Sequence, residues 1–398
     1  MAISESTAIR SQSRLSSFLN NETVRSVFYQ IVTLVCVVGL FWYLVTNTIE
    51  NMSVRGMSAG LDFLNVSAGF GISFTLIPYR EGDSYFRVFQ VGIANTLLVA
   101  VIGIVFATAI GLFMGLARMS SNWLIRTIAR WYVEVLRNTP LLLQIIAWYF
   151  GVFTLLPRPR DSLDWGGLFF LNNRGAYFPA PVPEAGFGVT LAALAIAIGG
   201  AIGLRYWARK RQEATGKHFP AISVGLATIV LLPLLVFMLS GRPLTWDMPG
   251  LQGFNFTGGL NVPPALGALV IALSIYTSCF IAEIVRSGIQ SVSGGQTEAA
   301  RALGVKPSWT MRLIILPQAL RVIIPPLISQ YLNLTKNSSL AIAIGFPDLV
   351  SVWMNTSLNQ SGRAIPIVAM TMAFYCIVSL TVSFAMNQYN KRILLKER

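Results

Sequence analysis

Glu283-Ile-Val-Arg286-Ser-Gly288-Ile-Gln290-Ser-Val292, then Gln296-Thr-Glu298-Ala299-Ala300-Arg301-Ala-Leu-Gly304, then Ile315-Leu316-Pro317, form a polar interruption in a very apolar chain. Ser293, three residues before Gln296, fits a capping box, in which each side chain satisfies a free backbone group at a helix start. This predicts a helix over residues 294–303. Gly304 suits the left-handed position that ends such a helix, and Pro307 the first turn of a second one, read as stopping at Leu316-Pro317. Ala299 and Ala302 are small enough for another protein to approach the backbone, and Glu298 offers a charge to fix its register. The segment reads as a docking element. The competing reading, a loop lying on lipid, lacks apolar area.

The rest of the chain explains why a docking element matters. Of its 398 residues 54% are hydrophobic and 12% charged, too apolar for an ordinary soluble domain. Residues 26–49, 88–117, 185–204, 219–241, 248–282 and 364–390 contain no Asp, Glu, Lys or Arg, and each can hold the roughly 20 residues that cross a bilayer core. Two less clean spans, about Ile128–Leu156 and about Leu320–Phe346, bring the expectation to eight crossings in an all-α polytopic membrane protein. The first run is too long for a cleaved signal and is read as a retained anchor.

The net charge of +14 raises nucleic-acid binding as a possibility, and its distribution argues against it. With the N-terminus inside, twenty of the 30 Lys and Arg fall in inside segments and eight outside; Arg137 and Lys336 fall within spans. That asymmetry predicts both termini, and the polar segment, on the cytoplasmic side. Cys36, Cys279 and Cys376 lie in apolar spans and His218 has no metal-type neighbour, so neither a disulfide framework, a metal site nor a cofactor is expected. No nucleophile–base set is found, hence no catalytic residue. No Gly-x-x-x-x-Gly-Lys-Ser/Thr loop is present to bind ATP, so energy must come from elsewhere.

Charges inside spans are costly unless they face protein or water. Lys336 lies fifteen positions from Arg321 and twelve from Asp348, too deep to snorkel comfortably. Two readings stay open: Lys336, Asn337, Ser338 and Ser339 line a translocation route, or Lys336 pairs with Glu134 or Glu283. Glu134 with Arg137, and Glu283 with Arg286, are each three apart and read as structural pairs on one helix face. Pro325-Pro326 should bend or open its helix. The stretch Arg158–Phe187, with five prolines, reads as an irregular outside connection. Gly199, Gly200 and Gly203 form a small-residue face for close helix packing, and the basic segment Arg205–Lys217 would attract anionic headgroups or, in its simpler reading, only reflects inside positive charge.

Glu298-Ala299-Ala300, Gly304 four residues on and Ile315-Leu316-Pro317 resemble the EAA loop of binding-protein-dependent ABC importer permeases. Three blocks resemble the polar amino-acid branch of that family: Glu134-Val-Leu-Arg137-Asn-Thr-Pro140-Leu-Leu-Leu-Gln144, Tyr276-Thr-Ser278 through Glu283 to Gln290, and Leu334-Thr-Lys336-Asn337-Ser338-Ser339-Leu340. The extra helices resemble the Q-type permease subunit of general L-amino acid transport systems.

The resemblance implies a type I ABC importer permease fold, with Glu298, Ala299, Ala300 and Gly304 coupling to an ATPase. It also implies a second permease subunit completing a heterodimer, two cytoplasmic ATPase subunits, an external solute-binding protein, a polar amino-acid substrate and a bacterial inner-membrane location. The expected organisation is a tail over 1–25, an extra helix over 26–49, core helices over 88–157, an external loop and inserted helix pair over 158–263, core helices over 264–390 containing the coupling loop 287–317, and a tail over 391–398. An ion-gradient-driven transporter using Lys336 and Glu134 is the alternative; it has no obvious internal repeat in its favour.

Overall fold

A computed structural model describes residues 22–54 and 60–393; the N-terminal segment read as a tail, up to residue 21, and the last five residues lie outside the described residues. Helices α1 (Glu22–Val54) and α2 (Tyr85–Ala117) are long and apolar. α3 (Trp123–Asn138) is amphipathic and is followed by α4 (Leu141–Gly151). α5 (Phe187–Thr215) and α6 (Ala221–Leu239) form a hairpin, and α7 (Pro264–Gln290), the short α8 (Gly294–Ala302) and α9 (Pro307–Ile344) follow. α10 is a wide π-wound segment, Leu349–Ser357, finished by the turn Leu358–Ser361, and α11 runs Ala364–Ile393.

Seven of these helices are long and apolar enough to cross a membrane. The eighth expected crossing is not a straight helix: α3 and the stretch Leu141–Leu155 meet at 101°, broken at Thr139-Pro140. Pro140 has no N–H for the helix ladder and pushes Thr139 to an extended conformation (ψ 129°). Asn122 caps α3, its side chain accepting from the Leu124 and Ile125 amides at 2.9 and 3.3 Å.

α2 and α7 form the core pair because glycines let their backbones close up. A Cβ on Gly111 would stand 2.6 Å from the Ile281 Cβ, and one on Gly115 2.9 Å from the Ala282 carbonyl oxygen. Around this contact, Val99 and Ala107 of α2, Ile145 of α4, Leu269, Leu273 and Ile281 of α7, and Ile323 and Leu334 of α9 form one buried cluster. A second cluster joins Phe63, Tyr85 and Val88 to Leu349 and Trp353 of α10 and Ile367 of α11. Tyr132 of α3 shares a 2.8 Å hydroxyl contact with Ser278 of α7, fastening the bent pair to the core.

The connection expected to be irregular carries strands. β1 (Leu163–Trp165), β2 (Phe169–Asn172) and β3 (Gly175–Phe178) pair antiparallel with β8 (Leu260–Val262), which comes from beyond the helical hairpin. β4 (Ala180–Pro183) pairs with β5 (Leu244–Asp247), and β6 (Gly250–Gln252) with β7 (Asn255–Thr257). The α5–α6 pair is thus carried on a small β platform whose two halves flank it in sequence.

Its packing also corrects the sequence reading. Space is open around Gly199, Gly200 and Gly203; the close approach is Gly225 of α6 against Ala201, 3.2 Å from a built Cβ. Ala193, Ala197 and Ala208, buried, lie on the Ala201 face at helical spacing; Gly199 and Gly203 lie off it, and Gly200 at its border meets nothing.

Candidate coupling surface and transport path

α8 ends as its sequence dictates. Gly304 adopts φ +70°, the Val305 amide reaches back to the Ala300 carbonyl at 3.0 Å and the Gly304 amide to that of Arg301 at 2.9 Å, a Schellman closure. Its start differs from expectation: the Ser293 side chain makes no cap, and the Gln296 amide bonds to the Ser293 carbonyl at 3.1 Å instead. Ala300 is buried, with 2% of its surface accessible, while Glu298, Ala299 and Gly304 are exposed. Leu303, which sequence reasoning passed over, is 82% exposed at the helix end, and Trp309 is 60% exposed just beyond it.

The second short helix is the beginning of α9. It does not stop at Leu316-Pro317: a π-wound turn, Met311–Ile315, precedes the proline, and the helix continues to Ile344 as one span. A proline ring collides with the carbonyl four residues back, and the widened turn makes room for it. Pro325 and Pro326 likewise lie inside a continuous helix, removing two N–H donors without breaking the span. The polar segment after α8 is therefore joined directly to a single element of 38 residues, roughly 55 Å at about 1.5 Å per residue.

The two Glu–Arg pairs, identical in spacing, have different fates. Glu283 forms ion pairs with both Arg286 and Arg118, joining the ends of α2 and α7, and Arg286 also donates to Gln290 at 2.7 Å. Glu134 and Arg137 are exposed and form no ion pair with each other among the described residues. The Arg137 guanidinium instead lies over the Phe280 ring of α7 at 5.8 Å.

Lys336 is exposed in the last α-helical turn before a tighter 3-10 stretch, Ser338–Ile344, and it pairs with neither Glu134 nor Glu283, whose carboxylate is already taken. Asn337 and Ser339 are half-buried and Ser338 is buried; the Ser338 and Ser339 hydroxyls donate to Thr335 and Lys336 carbonyls at 2.8 Å each. The four residues therefore do not share one open face.

Beyond Gly345 (φ +71°) the chain turns through Pro347 and Asp348 into α10. Asn95 of α2 holds this turn, donating to the Pro347 carbonyl at 2.8 Å and the Phe74 carbonyl at 2.9 Å, and accepting from the Leu76 amide at 3.1 Å. Thr96 accepts from the Leu349 amide at 3.0 Å. Asn95 is seven residues past Val88, where the uncharged run begins, so the turn sits about 10 Å inside the apolar layer.

Asp348 is fully buried there. One carboxylate oxygen accepts from the Ser351 amide at 2.9 Å, and the other has no hydrogen-bond partner among the described residues. Sequence reasoning used Asp348 only as the end of a span. The signal was Gly345-x-Pro347-Asp348, a helix stop followed by an acidic cap, and it marks a broken helix at membrane depth. Among the described residues no three His, Cys, Asp or Glu side chains gather as a metal site would require.

Comparison with known proteins identifies the family. Residues 218–394 match the model of binding-protein-dependent transport system inner membrane components. The chain is 51% identical to the putative amino-acid ABC transporter permease YhdX of Escherichia coli K12, over 95% of this chain and 96% of that protein. It is 52% identical to AapQ of Rhizobium johnstonii, a general L-amino acid transport system permease, over 94% and 93%. It is 41% identical to BztB of Rhodobacter capsulatus, a glutamate/glutamine/aspartate/asparagine transport system permease, over 97% of each. The ABC transporter permease among these relatives, with the binding-protein-dependent family match, sets aside the ion-gradient alternative. The chain belongs to the ABC transporter permease family, as an inner-membrane component of a binding-protein-dependent transport system.

Proposed function

We propose that this chain forms half of the membrane path of an importer for polar L-amino acids and receives work from ATPase subunits through α8. The observation that carries the coupling role is the uncovered surface of α8: exposed Glu298, Ala299 and Gly304 beside Leu303, with Ala300 turned inward as the seat of the helix. Glu298 would set register, Ala299 would admit the partner's backbone, and Gly304 would hold the turn. In this reading the second permease subunit, a related chain, completes the path, and both termini face the cytoplasm with the ATPases.

Because α9 starts at the docking loop, ATP-driven closure of the ATPases would tilt α9 as a rod. Its far end carries Lys336, Asn337, Ser338 and Ser339 and leads into the Asp348 turn. A substrate ammonium would satisfy the unpartnered Asp348 oxygen, and the exposed Lys336 would meet a carboxylate; each is a charge-assisted contact of the stronger kind. Nucleotide can bias such a path only through contacts that differ between the inward- and outward-open states.

The test is uptake by the complete complex, with ATPases and binding protein, in reconstituted vesicles. Gly304→Asp and Ala299→Trp should abolish amino-acid uptake and substrate-stimulated ATP hydrolysis while the chain still inserts and assembles. Full transport by either variant would overturn the coupling assignment; stimulation by sugars or peptides in place of amino acids would overturn the substrate class.

A further inference from the structure

The inserted helices end in a cavity outside the coupling surface and path described above. At the C-terminal end of α5 and the start of α6, about 450 Å3 of space is lined by Arg205, Arg209, Gln212, His218, Phe219 and Ser223, with Ala208 and Ile222 also contributing. Arg205, Arg209 and Gln212 recur at helical spacing on one face of α5. Arg209 spends one nitrogen on Glu213 at 3.1 Å, and Arg205 has no ion pair among the described residues.

The opposite wall is the beginning of α6. The Ala221 amide bonds to the Phe219 carbonyl and the Val224 amide to that of Pro220, which leaves the Ile222 and Ser223 amides without an acceptor among the described residues. Free amides and the positive end of a 19-residue helix thus face the same space as two guanidinium groups.

Depth decides what enters. The uncharged part of α5, residues 187–204, spans about 27 Å at about 1.5 Å per residue, close to the roughly 30 Å of a hydrocarbon core, so Arg205 stands at its edge and Arg209 one turn beyond. α6, with 19 residues, spans about 28 Å and begins at the same level. The cavity therefore lies in the plane of lipid phosphates, with Phe219 and Ile222 as the apolar residues of its lining.

We infer that this cavity is a binding site for the phosphodiester headgroup of an anionic phospholipid, with Arg205 and Arg209 as cationic donors, the α6 amides and Ser223 as neutral ones, and Phe219 against the glycerol and upper acyl chain. The site accounts for His218 and the basic stretch beside it. Lys210 and Arg211 lie outside the lining, with Arg211 over the Trp207 ring at 5.2 Å, and provide an internal control of equal charge.

The purified complex would be stripped with detergent, and retained phospholipid measured by native mass spectrometry after exchange into nanodiscs of mixed phosphatidylglycerol and phosphatidylcholine. The wild type should retain phosphatidylglycerol preferentially. Arg205→Ala with Arg209→Ala should lower that retention by about tenfold or more, as removal of two cations at headgroup level requires. Arg205→Lys with Arg209→Lys should keep part of it, and Lys210→Ala with Arg211→Ala should keep nearly all. Equal loss in the two alanine pairs would overturn the site, leaving only general basic character. Displacement of the lipid by millimolar inorganic phosphate, or thermal protection by phosphate equal to that by the lipid, would show a soluble anion to be the ligand and overturn the lipid assignment.

Discussion

α7 and α6 are both apolar helices of membrane length, yet 61% of the most apolar stretch of α7 is buried within the chain and only 6% of that of α6. The difference separates two kinds of membrane helix. α7 is surrounded by α2, α3, α4 and α9, and its small residues mark backbone contacts inside the chain. α6 packs chiefly against α5, and α1 has none of its apolar stretch buried among the described residues. Hydrophobicity places a helix in the bilayer. What stands beside it is set by shape, because lipid tails are as apolar as leucine and offer no hydrophobic drive for helices to associate.

The sharpest way to break this comparison is to overfill the two kinds of glycine. Gly111→Val should push α2 off α7 against Ile281, costing about 3 kcal/mol or more as overpacking of a tight core does. Reduced yield and a lower thermal midpoint of the purified complex would register it. Gly200→Val, on a face of α5 with open space, should change the midpoint by no more than about 0.5 kcal/mol equivalent. Equal effects would mean that α5 is covered by a partner on that face.

A second contrast lies within the core. Asn95→Leu removes three hydrogen bonds at once and leaves the buried Pro347 carbonyl without its partner, a loss of about 2–3 kcal/mol. Thermal unfolding of the complex would measure it. Asp348→Asn keeps the cap on α10, since Asn caps helices as well as Asp does, and leaves assembly intact. It removes the charge, and uptake at saturating substrate should fall on the order of tenfold, the worth of one charge-assisted hydrogen bond. Undiminished uptake would confine Asp348 to a structural role.

These residues also show what the sequence could carry. The spans were legible because an absence of charge over 20 or more positions is a long, redundant signal, and the end of α8 was legible because one glycine and its neighbours close a local motif. The Asn95 anchorage was not, since an uncharged polar residue in an apolar run carries no label for a partner 252 positions away. The β platform escaped for the same reason: strands of three or four residues have no measurable period, and β3–β8 and β4–β5 join across the intervening hairpin.

The smallest expected effect is the most instructive about sequence. Glu134-Val-Leu-Arg137 and Glu283-Ile-Val-Arg286 have the same charges at the same spacing, and helix geometry alone predicts a pair in both. Only the second forms, because Arg118 arrives from the end of α2 and makes Glu283 the centre of a three-residue network, while Phe280 offers Arg137 a ring face. An isolated exposed pair contributes little, and a shared carboxylate between two helices contributes more. Glu134→Gln should therefore leave the thermal midpoint within about 0.5 kcal/mol equivalent. Glu283→Gln leaves two guanidinium groups facing each other and should lower the midpoint by about 1 kcal/mol equivalent or more. Added salt should shrink the Glu283→Gln deficit through screening of partly exposed charges. If both substitutions behave alike, the network at the end of α2 and α7 is no more than two surface pairs.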